Sequence, residues 1–373
     1  MRPAIVHDWF QGFHGAERVV DALVRDVFAA ARTPDIYTFH AAHAVIPERL
    51  SSLIVRESRL GRLPGLRQRD HTPGAWRYLL PTMPRWFRGL PLEDYDIVVS
   101  SSHACAVNVA PRHATHVCYC HTPMRYAWTP EIDGERGRRL ERAVLGALRG
   151  SLRQTDLEAS RRVDAYVANS SAVRDRIRRF YGRDSVVIPP PVDVSAFQPQ
   201  TEKEPDRFLW VHRLVPYKQP LLVAEAFREL PYRLTMVGVG PLEAKVRASL
   251  PPNVDLRGWT SREELVALYN SSSAFIHVGE EDFGISMVEA LAAGIPVIGY
   301  GRGGARDIVR PGSDGVLIDR VDLQTVRAAV REVAERPWDR AALARRAEHY
   351  SRRRFSARFG DFAAEVHARL HRG

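Results

Sequence analysis

The stretch Glu280-Glu281-Asp282-Phe283-Gly284-Ile285-Ser286-Met287-Val288-Glu289-Ala290-Leu291-Ala292-Ala293-Gly294-Ile295-Pro296 decides how the chain folds. It opens polar, continues apolar for more than two helical turns, and stops at Gly294 with Pro296 just beyond. That order reads as loop, helix, glycine C′ residue and next strand. A helix opening near residues 283–285 leaves its first N–H groups unpaired at the positive end of its dipole. Such an end suits phosphate or sugar oxygens. Glu281 falls in the loop before the helix and Glu289 in its second turn. Two acceptor-only carboxylates so separated can hold hydroxyls at two ends of one ligand.

The same alternation extends outward in both directions. Strand-like runs at 207–212, 232–238, 253–257, 273–278, 296–299 and 315–318 alternate with amphipathic stretches. Upstream, runs at 4–7, 35–39, 96–100, 115–120, 164–169 and 185–188 do the same. Strands alternating with helical patterns predict parallel sheets with crossover helices. Pro189-Pro190-Pro191 and the polar, proline-punctuated sequence through Pro205 separate the two series like a linker. The expected organisation is therefore α/β: a domain over 1–190, a second over 206–352, and a helix over 353–373 packing back on the first. Two doubly wound, Rossmann-like domains so joined would face each other across a cleft. Residues 60–91 fit no βα unit; their prolines, arginines and tryptophans Trp76 and Trp86 suggest a helical surface insertion.

Composition narrows the class. The chain has 373 residues, 45% hydrophobic and 26% charged, a globular profile too long for one core of ordinary size. No run approaches the ~20 apolar residues of a membrane span, and the N-terminus enters a strand-like segment directly. Three cysteines, Cys105, Cys118 and Cys120, cannot all pair with one another and suggest a reducing cytoplasm. The net charge of +10 is arginine-dominated. It reads as a solvated face, or as attraction to anionic lipid headgroups or a phosphorylated acceptor. Nucleic acid is not expected, because no nucleic-acid-binding motif accompanies the charge.

Glu281 and Glu289 match the Glu-x7-Glu motif of the retaining transferases of glycosyltransferase family 4, which have the GT-B fold. Glu280-Glu281-Asp282-Phe283-Gly284 and Tyr300-Gly301-Arg302-Gly303-Gly304 resemble its mannosyltransferase branch, which builds O-antigen and exopolysaccharide repeats. Trp210-Val211-His212-Arg213-Leu214-Val215-Pro216-Tyr217-Lys218 resembles the family's Gly-Arg-Leu-x-x-x-Lys element, with His212 in place of the glycine or serine. The resemblance implies that Arg213 and Lys218 clamp the donor diphosphate. Fixed cations there would stabilise a leaving group that gains charge, without a metal. It also implies that Glu281 binds the donor sugar's hydroxyls, that Glu289 binds the ribose, and that Phe283, Gly284 and Ile285 present the helix start. Gly238-Val239-Gly240 would line the nucleotide side, and Arg257-Gly258-Trp259 lies where relatives contact the base.

In the first half, Val6-His7-Asp8-Trp9-Phe10-Gln11-Gly12-Phe13-His14-Gly15-Ala16-Glu17-Arg18-Val19-Val20 reads as strand, loop and helix and resembles the family's glycine-rich loop, with Gly15 the phosphate-facing candidate and His14 on the acceptor side. Cys120-His121-Thr122-Pro123-Met124-Arg125-Tyr126 resembles its Tyr-x-His-Thr-Pro-x-Arg-Tyr segment, which implies that His121 lies in the reaction zone. Ser101-Ser102-His103-Ala104, at the end of the strand-like run 96–100, matches a family segment facing the cleft, and Ser102, His103, Arg125 and Tyr126 are acceptor-side candidates. The crowd His113, His116, Cys118, Cys120 and His121 raises a zinc site, but structural zinc draws on loops with two- to four-residue gaps. The only Asp-x-Asp, Asp94-Tyr95-Asp96, reads as a turn. No metal and no cofactor are expected. The expected activity is a metal-independent transfer of a hexose, mannose from GDP-mannose in the first place, to a glycan, lipid-linked or other hydroxyl acceptor. The expected location is cytoplasmic, at the inner face of the cell membrane if the basic and aromatic helices touch lipid. A nucleotide-sugar epimerase or hydrolase on the same scaffold, or a non-catalytic lipid-surface binder, are the alternatives.

Overall fold

Runs of β-branched and aromatic residues become parallel strands in the computed structural model, which describes residues 1–29, 32–62, 75–129, 139–199 and 204–372. The chain divides into two units, 1–191 together with 353–373, and 192–352.

The first unit is built on β1 (Pro3–His7), β2 (Asp35–Thr38), β3 (Ile54–Glu57), β4 (Ile97–Ser102), β5 (Thr115–Cys120), β6 (Ala165–Ala168) and β7 (Val186–Val187). They lie side by side in the order β3-β2-β1-β4-β5-β6-β7, all parallel. Alternate residues serve opposite faces: Ala4 and Val6 join a core with Phe87 and Val98, while Ile5 joins another with Val99 and Tyr119. A parallel sheet needs both faces covered. The helix Arg352–Leu370 covers part of the second core with Phe355, Phe359, Ala363 and Val366, all on one stripe by their spacing of four, four and three. Phe359 is wholly buried, so Phe359→Ala would cost about 3–5 kcal/mol.

Two segments differ from their sequence reading. Strand β3 escaped it because only its ends turn inward: Val55 and Arg56 are exposed, so no apolar run marks this edge. The segment read as a linker starts with Val192, Val194 and Phe197 buried in the second unit's core. Of the insertion at 60–91, residues 63–74 lie outside the described ones. Its later part forms a 3₁₀ stretch, Ala75–Thr82, and a helix, Met83–Arg88, that buries Met83 and Phe87. Trp86 stands edge-on to Phe39 with ring centroids 5.5 Å apart, so it packs on the core.

The second unit repeats the plan with β8 (Arg207–Val211), β9 (Arg233–Val237), β10 (Val254–Leu256), β11 (Ala274–His277), β12 (Val297–Tyr300) and β13 (Gly315–Ile318). Their order is β10-β9-β8-β11-β12-β13. Phe208, Trp210 and Ile276 face one core and Leu209, Phe275 and Val297 the other. In both units the order reverses beside the first strand, between β1 and β4 and between β8 and β11. The carboxyl ends of strands at such a switch point are where open α/β sheets bind ligands.

Candidate active site

In the second unit, β8 ends at Val211 and releases His212 and Arg213, and β11 ends at His277. The turn after β8 brings Lys218 back toward the sheet, where it is 3% exposed and ion-paired with Glu281. His277 Nε2 lies 3.7 Å from the other oxygen of Glu281, and its ring meets that of His212 edge-on at 4.5 Å. Burial, aided by the Lys218 charge, presses His277 down to about 3 and holds His212 well below the ordinary histidine range. Both imidazoles are therefore neutral, and Lys218 and Glu281 carry the formal charge between them. Arg213 is exposed at the same strand end.

Glu281 is set by its loop, since its carbonyl accepts the Gly304 N–H at 2.9 Å. The following helix spans Ile285–Ala292, with Gly284 before it at φ 103°. That left-handed backbone favours glycine, and it lets the chain turn from the Glu281 loop into the helix. Phe283 points its ring into the core against Tyr350, so only its backbone is left for a ligand, while Ile285 is half-buried. Glu289 is buried and bound to Arg262 Nη1 at 2.9 Å, and that guanidinium lies over the Phe197 ring. Gly238 donates its N–H to Gly258 O at 2.7 Å. At φ 144° any Cβ there would collide with the His212 carbonyl, so this glycine lets two strand ends close up. Gly240 lies similarly against Leu214, and Trp259 is 76% exposed just past Gly258.

In the first unit, the ends of β1, β4 and β5 bring His7, Asp8, Ser101, His103 and His121 together. His121 Nε2 is 2.8 Å from Ser101 Oγ, and His7 Nδ1 is 3.1 Å from both Ser101 Oγ and Ser101 O. Burial brings His7 down to about 4 and keeps His121 well below its ordinary range, with the neighbouring histidines adding to the effect. Asp8, wholly buried, accepts the backbone N–H groups of His103, Ala104, Cys105 and Ala106 at 2.6–3.0 Å. His103 Nδ1 stands 3.3 Å from the same carboxylate, and the His103 ring packs edge-on to Trp9. Asp8 thus fixes the loop that carries His103.

The other candidates of this unit are placed as follows. Gly15 is the first residue of the helix Gly15–Ala22, with His14 exposed before it. Glu17 accepts the His14 N–H at 2.9 Å, and burial raises its carboxyl to about 7. Ser102 is buried, its hydroxyl accepting from the Val107 N–H at 3.3 Å. Arg125 and Tyr126 open the short helix Arg125–Trp128 and are half-buried. His116 is bonded to Ser100, and Cys118 and Cys120 lie in an apolar cluster with Tyr166, so each of the three has a structural place.

His277 and Arg262 were not singled out in the sequence, and His7, Asp8 and Ser101 stood there only within motif segments, without roles of their own. Four of these five lie at or just before or after a strand's carboxyl end, which was the available signal. Arg262 could be found only as the partner of Glu289.

Comparison with known proteins identifies the family and the fold. The family described as "Glycosyltransferase Family 4" matches residues 13–196, and "Glycosyl transferases group 1" matches 193–352. The chain is 35% identical over 142 residues to a GDP-mannose-dependent alpha-mannosyltransferase of Mycolicibacterium smegmatis, covering 34% of this chain and 37% of that one. It is 28% identical over 234 residues to the D-rhamnosyltransferase WbpZ of Pseudomonas aeruginosa, covering 58% and 61%. These matches span less than two thirds of each curated relative. The solved sucrose-phosphate synthase of Thermosynechococcus elongatus superposes with a TM-score of 0.75 at 17% identity, covering 99% of this chain and all of that one. The fold is GT-B, and the chain belongs to glycosyltransferase family 4.

Proposed function

We propose that the protein is a retaining, metal-independent glycosyltransferase that moves a hexose, first of all mannose from GDP-mannose, onto a hydroxyl acceptor. The observation that carries this reading is Lys218, a buried lysine held by Glu281 beside the start of the helix Ile285–Ala292. In this reading the donor diphosphate is held by Lys218, Arg213 and the amides at that helix start. As the sugar–phosphate bond breaks, negative charge gathers on the phosphate, and a cation already fixed there lowers the barrier without reorganising. Glu281 accepts the donor sugar's hydroxyls, and Glu289, steadied by Arg262, accepts those of the ribose. The acceptor oxygen attacks on the face the diphosphate leaves, and the departing phosphate takes its proton. The choice of mannose and guanosine rests on the motif resemblance and on the similarity to the GDP-mannose-dependent alpha-mannosyltransferase of Mycolicibacterium smegmatis.

The acceptor falls to the first unit. A small, largely apolar recess there is lined by Trp9, Gln11, Phe39, His40, Gly61, Leu79 and Met83. Among the described residues no helix is long and apolar enough to cross a membrane. Exposed Arg174, Arg178 and Arg179 on one helix support contact with an anionic membrane face instead.

The test is thermal stabilisation by a panel of nucleotides and nucleotide sugars, with and without EDTA. A ligand at about 100 times its Kd adds roughly 2.7 kcal/mol. Stabilisation by GDP and GDP-mannose in EDTA is the expected result. A response to uridine or thymidine nucleotides alone would overturn the mannose assignment, and no response at all would overturn the donor site.

A further inference from the structure

Ser101 lies wholly buried near the end of β4, with one imidazole on each side of its hydroxyl. His7 Nδ1 is 3.1 Å from the Ser101 carbonyl oxygen, which can only accept, so that nitrogen carries the proton. The same N–H lies 3.1 Å from Ser101 Oγ and is shared with it. The hydroxyl's own proton is then directed to its other neighbour, His121 Nε2, at 2.8 Å. We propose that Ser101 is a positioning residue that holds His121 as the neutral tautomer with its proton on Nδ1.

The main chain around His121 is fixed as well. Its N–H donates to Ser102 O at 2.8 Å, and Asn169 Nδ2 donates to its carbonyl at 2.9 Å. The ring therefore turns on a held pivot, and its Nε2 is taken up by Ser101. Burial keeps it uncharged, which removes the one state in which both nitrogens would donate. What His121 offers to a reacting group is a hydrogen bond donated from Nδ1. It acts toward a hydroxyl or phosphoryl oxygen and does not remove a proton through Nε2. This role in catalysis rests on the glycosyl-transfer reading; the tautomer itself does not.

The experiment is long-range ¹H–¹⁵N correlation on ligand-free protein labelled at histidine, with His121→Gln identifying the ring's signals. The expected spectrum has a pyrrole-type nitrogen at Nδ1 and a hydrogen-bonded pyridine-type nitrogen at Nε2. Ser101→Ala should move His121 away from that pattern, and Ser101→Thr should restore it. With donor and acceptor, Ser101→Ala should lower kcat about tenfold, the rate equivalent of one neutral hydrogen bond, with KM for the nucleotide sugar unchanged. A wild-type proton on Nε2 overturns the proposal, and so does a Ser101→Ala spectrum identical to wild type. The wild-type spectrum decides even where Ser101→Ala fails to fold. Absence of any sugar transfer overturns the glycosyltransferase reading and leaves the tautomer measurement standing.

Discussion

At the ends of β1, β4 and β5 the first unit gathers His7, Ser101 and His121 around one hydroxyl; at the ends of β8 and β11 the second gathers His212 and His277 around the Lys218–Glu281 pair. The topology at the two switch points is the same, and burial leaves the imidazoles neutral at both. What differs is the formal charge. In the first unit the nearby carboxylate, Asp8, is spent on four backbone amides. In the second, a buried cation is held by a carboxylate that is itself partly open at 28% exposure. A buried charge with one adaptable partner can turn to a new ligand. A carboxylate satisfied on every side cannot, so the chemistry of an anionic leaving group belongs to the second unit and the aiming of neutral groups to the first.

The comparison breaks most visibly at Lys218. Lys218→Ala should lower kcat by about 10²–10³, the range for removing one preorganised charge-stabilising donor. Arg213→Ala should fall in the same range. Steady-state rates for either within tenfold of wild type would return the two switch points to equal standing.

Protonation tests what the two sites share. A histidine whose folded-state value lies below its unfolded value of 6.5 binds a proton more readily when unfolded. Its contribution to stability is therefore complete above about pH 6.5 and is lost as pH falls toward the folded value. For His7 that window runs down to about 4 and for His277 to about 3. A shift of His7's size corresponds to about 3 kcal/mol across the window. Urea unfolding at pH 7 and pH 4.5 should show a smaller loss in His7→Asn, and in His277→Asn, than in wild type. A loss as steep as wild type's in either variant would mean that its imidazole is not held neutral.

Glu289 sharpens the contrast inside the second unit. Bound to Arg262 and away from the leaving group, it should matter for holding the nucleotide. Glu289→Ala should weaken nucleotide binding by roughly 1.5–3 kcal/mol, the span for hydrogen bonds to a charged group, with a smaller effect on kcat. Calorimetric titration with GDP alongside steady-state kinetics separates the two. A larger fall in kcat than in affinity would move Glu289 into the reacting centre.

Most of this architecture was legible in the sequence for a physical reason. Interior parallel strands are buried on both faces, so 115–120, buried at every position, coincides with β5. Strand β3, at an edge, carries no such run. The helix Ile285–Ala292 was legible from its glycine and proline stop, and Glu281 and Glu289 from their spacing around it. The contact between His7 and Ser101 was not legible, because 94 residues separate the two groups. Asp8 gave no hint of four amides delivered by a turn nearly 100 residues away.

Charge at the surface supplies the control for all of this. The second unit also carries Arg233, which pairs with Asp206 and Glu204 at 2.8–2.9 Å in a better geometry than most ion pairs, yet all three are exposed. Water and salt screen such a group, and holding two long side chains together costs entropy that offsets the attraction. Arg233→Ala should therefore leave both Tm and kcat indistinguishable from wild type, and raising the ionic strength should not separate the two proteins. Lys218 makes one ion pair where Arg233 makes two, but in a place that water barely reaches. If thermal unfolding and turnover of Arg233→Ala fell as far as those of Lys218→Ala, burial would not be what distinguishes the second switch point. The contrast between the units would then reduce to a count of arginines and lysines, which is what the whole chain's charge of +10 already suggests and the site's geometry argues against.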